Sequence, residues 1–252
     1  RLVGSEMCIR DSLGPDRDFS TELEAEEGDA YSTAEHHFDE GFGYFGASRD
    51  YAELTDAEII AVANDTNDDL SIDLTSEYNF GQSVNCAKRD AGATVATDFT
   101  KDAIDGFIAG RTILAEASAA GTLTADQETA LNAAIAKAAG AWEKCIASTV
   151  VHYINDVRGD MASFDSGKFA NLDNFYNLAK HWSEMKGFAL GLQFSPYSPF
   201  RNDMGGLEAI AYGNNETATL EEVLSWMGDA PVLADASDAD IAAYDAALLK
   251  AR

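Results

Sequence analysis

An imidazole and a carboxylate three residues apart recur twice in this chain, at His37-Phe38-Asp39-Glu40 and at His181-Trp182-Ser183-Glu184. Each copy reads His-aromatic-x-Glu, and a Gly-Phe step follows each, at Gly41-Phe42 and Gly187-Phe188. The chain holds four histidines, His36, His37, His152 and His181, so three of them lie in or beside the copies. On an α-helix, side chains three apart share a face, so each copy can aim one imidazole and one carboxylate at one point. That set suits a metal site or a proton-transfer pair. It suits equally a hydrogen-bonded contact between packed helices.

In the first copy Glu40 and Tyr44 extend the His37 stripe, while His36 points roughly 100° away. Gly41, Gly43 and Gly46 each cost up to about 1 kcal/mol relative to alanine in a helix. Their presence points to close approach of another backbone, or to a helix that ends at Gly46. In the second copy Leu178, His181, Glu184 or Met185, Phe188 and Leu192 define one face. A His and a Glu inside an apolar stripe are costly unless paired or bound to metal. His152 shares a face with Cys145, Thr149 and Asp156 and supplies a third imidazole. The expected ligand set is therefore His37, Glu40, His152, His181 and Glu184, around iron or zinc. The competing reading makes the same residues buried hydrogen-bond pairs that fix how helices cross. No catalytic residue is assigned.

Other motifs narrow the field. Asp65-Thr-Asn67-Asp-Asp69-Leu-Ser71-Ile-Asp73 resembles the start of a calcium loop, with Leu70 where glycine is required and Ser76 where the bidentate glutamate belongs. A solvated acidic loop is the preferred reading there. No phosphate-cradling glycine loop, Gly-x-Ser-x-Gly elbow or His-Glu-x-x-His helix is present. The order His-x-x-Glu also reverses the Glu-x-x-His of di-iron bundles.

The elements that must position these residues are helical. Capping boxes at Ser32–Glu35 and Thr55–Glu58 open two helices, and residues 64–86 read as a long loop. From about Ala93 to Ala119 apolar residues recur at helical spacing: Val95, Phe99, Ile104, Phe107, Ile108 and Leu114. After Gly121, Thr124–Gln127 caps an alanine-rich helix to about Asp156, striped by Leu131, Ile135, Trp142, Ile146, Val150 and Ile154. So short a turn predicts that the two pack antiparallel. A Gly/Asp/Ser loop over 158–171 contains Arg158-Gly159-Asp160, read as an accidental tripeptide. A helix from about Leu172 to Leu192 carries the second copy, with Pro196 and Pro199 beyond it and a loop over 195–206. Shorter helices are expected near Leu220–Met227 and Asp238–Lys250. The fold class is all-α, a helical bundle with long irregular loops, and the repeated motif suggests a duplicated arrangement.

Composition excludes several classes. The net charge is −27, from 44 acidic and 17 basic residues spread along the chain, which argues against nucleic-acid or anionic-membrane binding. No run of apolar residues is long enough for a transmembrane helix. Residues 1–12 resemble a translated sequencing adapter and are set aside as non-native, leaving 13–252 as a single, N-terminally truncated helical domain. Cys8 leaves with that segment, and Cys86 and Cys145 remain as one disulfide or two buried thiols.

Three runs then carry a family resemblance: Ala34–Gly46, Val151–Asn155, and Lys180–Pro196. In order and spacing they resemble an uncharacterised bacterial envelope family, domain of unknown function 4856, over residues 13–252. That resemblance implies a periplasmic or cell-surface protein, with a lipoprotein-like leader and lipid anchor on a missing N-terminus. The chain is more distantly similar to the imelysin group, iron-regulated helical duplications carrying Gly-x-His-x-x-Glu. His37/Glu40 and His181/Glu184 match its His-x-x-Glu part, whereas Glu35 and Ala179 stand where the leading glycine belongs. The resemblance implies divalent-metal binding through the two motifs, with the metal ion or an envelope protein as partner. An imelysin-type peptidase is the weaker implication, and a non-catalytic scaffold is the alternative.

Overall fold

The computed structural model describes residues 12–14, 17–25, 28–164, 172–201, 210–212, 216–232 and 236–252. Apart from Ser12, the adapter-like segment and its Cys8 lie outside the described residues, as do 165–171 and 202–206 of the two expected loops. The described elements are helices α1 (Thr33–Phe45), α2 (Asp56–Ile60), α3 (Gln82–Ala91), α4 (Phe99–Ala120), α5 (Ala125–Ala162), α6 (Leu172–Gly191), α7 (Leu220–Met227) and α8 (Asp238–Ala251). One antiparallel hairpin, β1 (Ile210–Tyr212) with β2 (Glu216–Ala218), joins them. The class is all-α, a helical bundle.

Local chemistry explains most boundaries. Ser32 and Thr55 close complete capping boxes with Glu35 and Glu58. Thr124 and Gln127 exchange the corresponding hydrogen bonds ahead of α5. Helix α1 ends where Gly46 takes a left-handed conformation, φ 87°, and a side chain there would run into the Phe80 carbonyl.

Three boundaries differ from the sequence expectation. The stretch read as loop to residue 86 stops at Gly81, and α3 begins with no side-chain cap to announce it. Helix α4 starts at Phe99, capped by Asp98, which leaves Val95 outside it and 81% exposed. Helix α5 continues to Ala162 and takes Arg158-Gly159-Asp160 into its last turns instead of a loop. The short β1–β2 hairpin was not expected from the pattern.

The chain divides into two compact units: the part up to Cys145 together with Ser195–Tyr197, and Ile146–Phe194 with Ser198–Arg252. The sequence read 13–252 as one domain, and the division falls within α5.

In the first unit α1 and α4 run antiparallel. Ser32 bonds Ser118 at 2.7 Å, Asp39 accepts from Arg111 at 2.8 Å, and the Phe42 and Phe107 rings meet edge to face at 5.5 Å. Phe45 lies at the centre, 5.5 Å from Phe107 and 5.4 Å from Trp142. Helices α4 and α5 form the expected antiparallel pair. Lys137 bonds Asp105 at 3.0 Å, and an added Cβ at Gly106 would lie 2.6 Å from the Ala138 nitrogen. A Cys86–Cys145 disulfide, with Cα atoms 5.1 Å apart, ties α3 to α5.

In the second unit Ile146, Val150, Ile154 and Val157 of α5 are buried, as are Leu178, Met185, Ala189 and Leu192 of α6 and the turn after it. Arg158 grips Asp245 of α8 through two bonds of 2.6 and 3.2 Å.

Candidate functional site

The first copy of the motif spreads over α1 instead of converging. The His37 Nδ1 lies 3.2 Å from Glu22 Oε2, and the Arg17 guanidinium contacts the same nitrogen. Arg17 in turn holds the Glu22 carboxylate through bonds of 3.0 to 3.2 Å. In the tautomer with a bare Nδ1 that nitrogen accepts from Arg17, and in the tautomer with an Nδ1–H it donates to Glu22. Glu40 reaches His36 at 3.6 Å, one turn back on the same helix, and both are exposed. Asp39 turns to Arg111 of α4, which also binds Glu35 at 2.5 Å. Burial works against ionised Glu35, but the Ser32 amide and the Arg111 charge outweigh it and hold its carboxyl below the usual range. The aromatic of the motif, Phe38, is buried and meets Phe107 edge to face at 6.0 Å. A cavity of 310 Å³ is lined by Asp29, Tyr31, Thr33, His36 and His37, with Tyr31 stacked on His36 at 5.6 Å.

The second copy works through different neighbours. His181 Nδ1 lies 2.7 Å from Asp160 Oδ2, so α6 is bonded to the last turn of α5. Trp182 donates its indole N–H to the Met227 carbonyl at 3.1 Å, and the Tyr244 hydroxyl donates to the same oxygen at 2.7 Å. Burial pushes the Tyr244 phenol up to about 12. Lys186 donates to the Leu224 and Gly228 carbonyls, both at 2.7 Å, and so satisfies the open C-terminal end of α7. Its pKa is lowered by burial. Tyr153 of α5 stacks on Phe188 at 5.7 Å and lies 6.1 Å from the His181 ring. The Glu184 Oε2 is buried and finds no hydrogen-bond partner among the described residues. His152 lies beside Asp156 at 3.3 Å, a pairing along α5 itself.

Each of His36, His37, His152 and His181 therefore has a carboxylate partner. In both copies that partner is not the glutamate three residues on. Among the described residues no group of three or more His, Cys, Asp or Glu side chains gathers at metal-binding distance. The first copy does not fit a shared ligand set, because Glu40 and His37 bond in different directions. Asp160, Glu22 and Arg17 are the partners that sequence reasoning missed. Asp160 was passed over because it stood in a stretch read as loop; the helical continuation of α5 was the signal that would have found it.

The acidic loop at 65–77 is closed by its own amides. Leu70 takes the left-handed turn that glycine would make, φ 67°, and its N–H donates to Asp65 at 2.8 Å. The buried Glu77 carboxylate accepts the N–H groups of Thr66, Asn67 and Asp73 at 3.0, 3.3 and 2.9 Å.

No helix among the described residues is long and apolar enough to cross a membrane. The chain matches no family model, no curated protein and no solved structure.

Proposed function

We propose that this chain is a non-catalytic helical binding protein of an oxidising compartment, the bacterial periplasm or cell surface, in which the two His-aromatic-x-Glu motifs clamp helices. The observation that carries this reading is the direction of the imidazoles. His37 bonds across to the segment before α1, and His181 bonds across from α6 to α5, each through a carboxylate from another element. A half-buried imidazole–carboxylate pair satisfies both groups and fixes the helix against the segment that supplies the carboxylate, the chain before α1 for His37 and the end of α5 for His181. The Cys86–Cys145 disulfide supports the compartment, since such bonds persist where thiols are not kept reduced. The experiment is thermal unfolding of dialysed protein. His37→Ala and His181→Ala each lower Tm, and added Fe²⁺ or Zn²⁺ leaves the parent Tm unchanged. A metal-dependent rise of Tm that the double variant loses refutes the clamp reading.

A divalent metal, iron or zinc, bound near the second motif is the second reading, and one observation favours it. The buried Glu184 Oε2 without a hydrogen-bond partner, one turn after His181, is an oxygen that a cation would satisfy. His181 and Glu184 would hold the ion there, and the ion would polarise what it bound. This reading brings with it the imelysin-like relationship. Metal analysis of the purified protein, with Glu184→Gln as the variant, separates it from the clamp.

A further inference from the structure

The groove between α1 and α4 in the first unit is the strongest feature left over by the motifs. Its volume is 490 Å³, within the range of small-molecule sites. Phe42 of α1 and Ile104, Phe107 and Ile108 of α4 form its apolar wall. Ile108 is 53% exposed there, a large aliphatic side chain open to water in the middle of a long helix. On α4 the lining runs from Ile104 to Ala115, about 16 Å at 1.5 Å per residue, so the groove is elongated.

Its two ends differ in charge. At the end marked by Asp39, Arg111 is already bonded by Asp39 and Glu35. Arg49 follows the C-terminal end of α1, and the antiparallel register sets it at the Ile104 end. Its guanidinium makes no hydrogen bond or ion pair with any described residue. Asp73 senses the Arg49 charge, as the last of several influences that hold its carboxyl below the usual range. Of the two arginines in the lining, Arg111 is thus paired with carboxylates, and Arg49 is the one whose guanidinium donors are left for a ligand. An elongated apolar groove lined at one end by a guanidinium whose hydrogen-bond donors are unused matches one charge and one chain. A guanidinium fork also pairs best with a planar carboxylate.

We propose that this groove binds a single-chain amphiphile with a carboxylate head, the head at Arg49 and the chain along Phe42 and Ile108. The site goes beyond the clamp reading and shares no residue with the four imidazole–carboxylate pairs, so either can fail alone. Delipidated protein is titrated with dansylated undecanoic acid, followed by competition below their micellar concentrations with dodecanoate, dodecanol and dodecyltrimethylammonium. Dodecanoate displaces the probe, dodecanol does so about tenfold more weakly, and the cation does not compete. Arg49→Gln weakens dodecanoate about tenfold and leaves dodecanol unchanged, while Ile108→Asp abolishes binding of both. Both positions are exposed, so both variants keep the parent Tm. Equal competition by the three compounds, a dodecanoate affinity untouched by Arg49→Gln, or the absence of saturable binding overturns the proposal. A groove that instead pairs two copies of the chain gives a dimer in sedimentation that Ile108→Asp dissolves, and that result overturns it too.

Discussion

The His181 imidazole stands 2.7 Å from the Asp160 carboxylate, Nδ1 against Oδ2, and binds α6 to the final turn of α5. Both side chains are mostly shielded from water, with 21% and 18% of their surface exposed. A pair in that setting contributes more than a surface ion pair, because the partner left behind stays partly desolvated. Asp160→Asn and His181→Gln should each lose about 1–2 kcal/mol in urea unfolding. The double variant should lose less than the sum, by about 1 kcal/mol. Strict additivity would mean that the two residues do not act as a clamp.

The Cys86–Cys145 bond closes a separation of 59 residues that contains the whole of α4. Closing a loop of that size restricts the unfolded chain by about 4 kcal/mol in the chain-entropy account. The Cys86→Ser/Cys145→Ser double variant is therefore expected to unfold at markedly lower urea. Native protein under reducing agent should approach the variant as the buried bond is reached. Identical midpoints for oxidised parent and variant would remove the disulfide from the list of forces holding the first unit.

Glu35 makes the first unit sensitive to acid in a defined direction. Burial opposes its charge, yet the Ser32 amide and Arg111 bring its folded pKa below the ordinary 4.5. A carboxyl with a depressed folded pKa contributes stability above its unfolded value and loses it as pH falls through the folded one. Glu35→Gln keeps a side chain able to complete the capping box but no longer titrates. The stability gap between parent and variant should be widest near neutrality and close as pH falls below 4.5 towards the folded pKa. Parallel stability curves from pH 7 to pH 3, about the span over which such a carboxyl titrates, would contradict it.

Local signals were readable in the sequence, and partners were not. The boxes at Ser32, Thr55 and Thr124 use residues three apart, so the helix starts they make could be read directly. The α5 stripe from Leu131 to Ile154 was readable because one face of a long helix is buried along its length. Helix α3 escaped notice because Gly81 caps it without a side chain. Ile108 fits the α4 period yet lies open, since periodicity defines a face and not the neighbour that covers it. The same limit governs the motifs. A spacing of three gives His and Glu a common face, but Glu22 and Asp160, which the imidazoles meet, come from elsewhere in the chain.

Two glycines in the long helices should respond oppositely to alanine. At Gly106 an added Cβ would lie 2.6 Å from the Ala138 nitrogen and 2.7 Å from the Ala134 carbonyl oxygen. Those neighbours are backbone atoms of α5 and cannot turn aside, so α4 and α5 must move apart. The gain in helix propensity, about 1 kcal/mol, is then offset by overpacking of about 1–3 kcal/mol. At Gly140 the same methyl would meet nothing within 4 Å. Gly140→Ala should therefore stabilise the protein by up to about 1 kcal/mol, chiefly by restricting the unfolded chain. Gly106→Ala should leave it neutral to about 2 kcal/mol less stable. Urea unfolding of the two variants side by side tests the close approach itself, because propensity alone would move both midpoints upward together.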